Sequence, residues 1–147
     1  MLSNTAAHFD NPEAMDARIE AVRHGGGMAA VAETMLARWF TPKFRAADPV
    51  ADADVRTMLL ATPVAGYIAC CQAVRDMDQR GLLGKIVAPT LVIAGTRDPA
   101  TPPEHAYYLR DHIRGARCAE LEAAHIANIE AAAGFNAALI DFLGGTR

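Results

Sequence analysis

Cysteine is scarce in this chain, with 3 in 147 residues and no Cys-x-x-Cys pair among them. An odd, small set cannot make a fully paired disulfide framework, which points to a reducing, cytoplasmic setting. Histidines at metal-ligand spacing are missing too: His105 and His112 stand seven apart, no His-x-x-x-His pair exists, and no metal site is expected. Positive charge is not in excess. The 14 Lys+Arg against 17 Asp+Glu leave a net charge of −3, so the chain carries no broad basic field for nucleic acid or anionic lipid, and neither is expected as a partner. No apolar run approaches the roughly 20 residues of a membrane helix, and no basic segment followed by an apolar one opens the chain, so no span or signal peptide is expected. What is present is apolar. At 52% hydrophobic and 21% charged, the composition excludes disorder. A chain of this length buries roughly 68–70% of the surface it would expose unfolded. Abundant alanine, and arginine in place of lysine, read as genomic bias rather than charge patterning.

Residues 1–8 look like the end of a core strand, residues 9–80 like a helical insertion, and residues 81–147 like the rest of an α/β core. In the helical stretch, Asn11-Pro12, Asp48-Pro49 and Thr62-Pro63 each pair a polar cap with proline at the first helical position. Four helices are expected. Met15, Ile19 and Val22 share one face of the first, and Gly25-Gly26-Gly27 breaks it. Met28, Val31, Met35 and Trp39 stripe the second, which Thr41-Pro42 ends; Val55, Met58, Leu59 and then Tyr67, Cys70, Cys71 and Val74 continue the pattern. Beyond Gly84 the period changes. Thr90–Ala94 is a continuous apolar run between Pro89 and Gly95, as expected of a parallel strand buried on both faces. Thr101-Pro102-Pro103-Glu104 predicts a capping box opening a helix that carries Tyr108, Leu109 and His112. A second strand is expected at Arg117–Leu121, then a loop with His125, then a last helix packing through Ile129, Phe135, Leu139 and Phe142. This order is the second half of an open α/β sheet with a cap.

Open α/β sheets place functional residues just past the carboxyl ends of their strands. Asp98 stands there after the first strong strand and His125 after the next. Each has a bland alternative: a turn aspartate that binds nearby backbone, and a satisfied, partly buried histidine. The pair is the stronger signal, because an acid and then a histidine, 27 positions apart at the ends of successive strands, follow the order in which α/β-hydrolases deploy a triad. An aspartate accepting from one imidazole nitrogen would leave the other to take a proton. Trp39, the sole tryptophan, reads as a core residue. Arg38 and Arg75 are candidates to clamp a substrate carboxylate, or solvated helix-face charges. Burial is expected for Cys70, Cys71 and Cys118, since nothing near them would lower a thiol pKa.

The segments RIEAVRHGGGMAAVAETMLARWFTPKFR (18–45), MLLATPVAGYIACCQAVRDMD (58–78), APTLVIAGTRDPATPP (88–103) and AAHIANIE (123–130) resemble the carboxyl-terminal half of 3-oxoadipate enol-lactonases. These are α/β-hydrolases of the β-ketoadipate route of aromatic degradation. The likeness runs over nearly the whole chain. It implies a carboxyl-terminal half of an α/β-hydrolase fold with a helical cap, and a serine-type hydrolase of a small lactone using water and no cofactor. It also implies Asp98 as the acid, His125 as the base, and Trp39 as a wall of the substrate pocket that the cap roofs.

Two departures stand out. Ala132 replaces a proline common in the family, a minor change. The larger departure is that the family's Gly-x-Ser-x-Gly elbow precedes the cap, whereas Ser3 is the sole serine here and has no glycine framing. The upstream oxyanion loop has no counterpart either. The chain is therefore expected to be a fragment, inactive alone, that pairs with an amino-terminal half or with itself. The alternative is a non-catalytic remnant or one half of a split hydrolase.

Overall fold

The computed structural model describes residues 1–145, so positions 146 and 147 of the 81–147 segment lie outside the described residues. The chain divides into two compact units.

The first unit comprises Met1–Ala7, Arg38–Thr41 and the chain from Gln79 on. It is built on a parallel sheet of β1 (Leu2–Ser3), β2 (Leu91–Gly95) and β3 (Arg117–Leu121), in the order β1-β2-β3. Leu2 pairs with Val92, and Leu91 through Gly95 pair with Arg117 through Leu121. Every residue of β2 is buried. With side chains alternating across the sheet, Val92 and Ala94 join Leu109 and Ile113 on one face, while Leu91 and Ile93 join Phe135 and Phe142 on the other. Two-sided burial explains why β2 reads as an unbroken apolar run. One face is covered by α6 (Pro103–His112), the other by α7 (Ala127–Glu130) and α8 (Ala132–Gly145). Each large side chain buried in this way contributes about 1.5–3 kcal/mol.

The second unit comprises His8–Ala37 and Pro42–Asp78. It holds α1 (Pro12–His24), most of α2 (Ala29–Trp39), α3 (Pro42–Ala47), α4 (Pro49–Leu60) and α5 (Val64–Arg75). The helix α1 packs against α5 through Met15, Ile19 and Val22 on one side and Tyr67 and Cys71 on the other. Asn11 Oδ1 accepts from the Ala14 N–H and Asp48 Oδ1 from the Ala51 N–H, both at 3.0 Å, as the two cap readings require. Gly26 and Gly27 adopt φ of +96° and +77°, conformations that explain the helix break. Arg45 of α3 bonds to both Glu33 of α2 and Asp52 of α4, tying three helices at the surface.

Several local readings are corrected. Five helices occupy the helical stretch instead of four, because Pro42 starts α3 as well as ending α2; proline suits the first position of a helix. Residues 38–41, read as part of the helical segment, belong to the sheet unit. Thr62 does not cap α5: its hydroxyl donates back to the Met58 carbonyl at 3.2 Å, and Pro63 takes the cap position. Thr101 does not form a capping box either, since α6 begins after Pro102 and the Thr101 hydroxyl is engaged elsewhere. The strand read as Thr90–Ala94 runs Leu91–Gly95. Ile129 sits in the separate short helix α7. Met58 and Cys70, counted on buried faces, are exposed.

Candidate active site

Adjacent parallel strands bring their carboxyl ends together, and the loops after β2 and β3 are laced by backbone bonds. The Thr96 N–H donates to Leu121 O at 2.8 Å and the Arg97 N–H to Ala123 O at 3.0 Å. The lacing sets Asp98 beside His125. His125 Nδ1 lies 2.8 Å from Asp98 Oδ2. The Asp98 side chain is wholly buried and that of His125 is 27% exposed, so the carboxylate is shielded while the imidazole keeps access to solvent.

Asp98 accepts five hydrogen bonds. Oδ1 takes the backbone N–H groups of Ala100 and Thr101 at 2.7 and 3.0 Å. Oδ2 takes His125 Nδ1, the Thr101 hydroxyl at 2.8 Å and Asn4 Nδ2 at 3.1 Å. Burial by itself would push this carboxyl up, but the bonds from His125 and Thr101 outweigh it and hold the pKa down to about 2. An ionised Asp98 accepts, so Nδ1 of His125 donates, an assignment that follows from the bonding network. Nε2 is then the ring nitrogen left to take a proton, and the carboxylate stabilises the imidazolium that results. This meets the geometry of an oriented general base.

The loop carrying His125 is held on both sides. The Ala124 N–H donates to Glu130 Oε2 at 2.9 Å, and the Ile126 N–H donates to Trp39 O at 3.1 Å. Glu130 also accepts from the backbone N–H and the hydroxyl of Thr41. His125, Trp39, Ser3, Asn4, Asn128 and Phe135 line a cavity of about 530 Å³ together with Met1 and Ile126.

Of the residues singled out in the sequence, Asp98, His125 and Trp39 come together here. Arg38 is near Asp98 in the chain fold: its NH2 donates to Pro99 O at 2.8 Å, and its Nε is buried with no partner among the described residues. Arg75 lies in the helical unit with its guanidinium taken by Asp76 and Asp16, at 2.7 and 2.8 Å, which leaves it poorly placed to clamp a substrate. Ser3 lines the cavity, but its hydroxyl donates to Asn4 Oδ1 at 2.9 Å. Cys71 is buried and Cys118 half-buried, with burial pushing the Cys118 thiol up; Cys70 is exposed, against expectation. Among the described residues no three His, Cys, Asp or Glu side chains cluster as metal ligands, and no single helix is long and apolar enough to cross a membrane. Sequence reasoning missed Asn4, Thr101 and Glu130. Asn4 carried a readable signal, since it follows β1 as Asp98 follows β2.

Comparison with known proteins bears on the fold and the family. The α/β-hydrolase family model described as TAP-like protein matches residues 61–144. The chain is 37% identical to 3-oxoadipate enol-lactonase 2 of Acinetobacter baylyi over 139 residues, which are 95% of this chain and 52% of that protein. It superposes on the crystal structure of the enol-lactonase from Burkholderia xenovorans LB400 with a TM-score of 0.93 and 39% identity, covering 97% of this chain and 54% of that one. A hydrolase from Pseudomonas aeruginosa PA01 gives a TM-score of 0.92 at 37% identity, with 98% and 54% covered. The chain thus spans about half the length of the curated relatives it matches. Fold, matched region and relatives agree, and the chain belongs to the α/β-hydrolase family.

Proposed function

We propose that this chain supplies the acid, the general base and part of the substrate pocket of a serine-type lactone hydrolase acting on 3-oxoadipate enol-lactone. The observation that carries the reading is the 2.8 Å contact between buried Asp98 and partly exposed His125. The enol-lactonase relatives support the substrate class.

In this reading the nucleophile is a serine on a Gly-x-Ser-x-Gly elbow outside the 147 residues. His125 Nε2 takes the proton of that hydroxyl as it attacks the lactone carbonyl, and Asp98 holds the ring and stabilises the imidazolium. The proton then passes to the enolate oxygen that leaves as the ring opens. Water, deprotonated by the same nitrogen, releases the acid and restores the serine. Trp39 forms a wall of the cavity, and the unpartnered Nε makes Arg38 the candidate donor to a substrate carboxylate. Arg75 takes no part. The test is to join or mix this chain with the elbow-bearing half of an enol-lactonase and follow loss of the enol-lactone absorbance. Turnover that disappears with His125→Ala is expected; turnover retained in that variant, or none for the parent assembly, overturns the reading.

A further inference from the structure

We infer that Asn4 is a positioning residue of the acid–base pair: its side-chain amide clamps Asp98 to the loop that carries His125. The inference rests on the reading of Asp98 and His125 as acid and base. Its place just past β1 marks it as a strand-end residue, but its partners lie 94 and 120 positions away and cannot be read from its neighbours in the chain.

Three independent features converge on the amide. Its two N–H groups are both used, one on Asp98 Oδ2 at 3.1 Å and one on the Ala124 carbonyl at 3.0 Å, so a single side chain bridges the acid and the residue before the base. Its oxygen is fixed in turn by the Ser3 hydroxyl, which sets which end of the amide is the donor. Its backbone is held with φ at +46°, a left-handed conformation that asparagine and glycine tolerate better than other residues. Space is made for it as well. Gly95 lies beneath, and a β-carbon there would stand 2.8 Å from Asn4 Nδ2.

Only a neutral donor suits this place. Oδ2 already receives His125 and Thr101, and Asn4 is the third donor that holds the carboxylate against rotation. An aspartate of the same shape would set a second carboxylate against the first and against a carbonyl oxygen. Like charges at that separation disfavour double ionisation, and the acid would lose the fixed negative charge that orients the imidazole.

Two substitutions separate the amide from the backbone. Asn4→Gly keeps the left-handed φ and removes the donor; Asn4→Asp keeps shape and φ tolerance and replaces the donor with an acceptor. Both are compared with the parent 147-residue chain by NMR, with the amide resonances of Leu91–Gly95 as the check on folding. The expected result is that the titration midpoint of the Asp98 carboxyl carbon rises in the order Asn, Gly, Asp, by about one pH unit or more in the last. The downfield His125 Nδ1–H signal should move in both variants. Folded variants in which the midpoint and that signal stay where they are in the parent overturn the inference. Should the variants not fold, the parent chain decides: the Asn4 Nδ2 protons are expected to exchange at least about tenfold more slowly than those of exposed Asn128, and equal rates overturn it. These readouts follow the hydrogen bonds and not turnover. A failed hydrolysis assay leaves them standing, and unchanged readouts beside intact hydrolysis defeat only the role of Asn4.

Discussion

A β-carbon placed on Gly95 would stand 2.4 Å from the carbonyl oxygen of Ala124, closer than real β-carbons approach a backbone atom. The end of β2 and the loop of the histidine are thus in direct backbone contact, and the absent side chain leaves room for that contact and for Asn4. Gly95→Ala must push that loop or Asn4 away. It is expected to cost about 1–3 kcal/mol in urea unfolding, as overpacking does. Gly66→Ala in α5 is the contrast. Nothing lies within 4 Å of its added β-carbon, and removing a helical glycine is expected to stabilise by about 0.5–1 kcal/mol. Equal effects from the two would contradict the contact.

Stability should fall on the acid side through Asp98. Its carboxyl is held at about 2 in the folded chain against an ordinary 3.8. A depressed folded value means the stabilisation is complete above the unfolded value and is lost as pH drops toward the folded one. The loss should run from about pH 5 down to about pH 2 and amount to on the order of 2 kcal/mol. Asp98→Asn removes the titrating group, and denaturant titrations across that window should show a flatter acid limb. An unchanged limb would show that the fold does not depend on an ionised Asp98.

The 147-residue chain alone is expected to hydrolyse enol-lactone negligibly. His125 has an acid behind it, but the sole serine, Ser3, points its hydroxyl at Asn4. A purified sample turning over at about 1 s⁻¹ or more, within the range of working enzymes, would require another nucleophile.

In an assembly that contains the elbow serine, His125→Ala should abolish most turnover while leaving the thermal melt near that of the parent. Asp98→Asn should be impaired on the order of 10⁴-fold, the loss that the equivalent change causes in a serine protease by holding the histidine in the wrong tautomer. Rates within about threefold of the parent for either variant would remove the pair from the mechanism.

Self-association is the expected behaviour of the chain by itself. The strands β1 and β3 form the two edges of the described sheet, and Val87 and Ile140 are 90% and 70% exposed. Unpaired strand edges beside apolar surface favour pairing with another chain. Light scattering after size exclusion should report dimers or larger species. A monodisperse monomer melting cooperatively above about 60 °C, near the top of the mesophile range, would show that the edges are adequately protected.

Periodicity and strand-end position were enough to locate the buried strand β2, the strand Arg117–Leu121 and the helical stretch, because these depend on patterns of neighbours in the chain. They also located Asp98 and His125, since parallel strands deliver their ends to one side of a sheet. Local pattern misjudged what a distant partner decides. Thr101 reads as a helix cap, but the Asp98 carboxylate offers its hydroxyl a charged acceptor at 2.8 Å, and charge-assisted bonds are the stronger ones. Met58 fits the apolar stripe of α4 and is nevertheless 71% exposed, because a stripe is buried only where another element covers it. Asn4 reaches Ala124 across 120 positions of chain and Glu130 reaches Thr41 across 89, distances at which no local pattern operates. The elements, the α/β order and the pairing of Asp98 with His125 were therefore legible in the order of residues. Which polar groups hold that pair was settled by the folded chain, because a hydrogen bond depends on distance and direction in space, and chain separation carries neither.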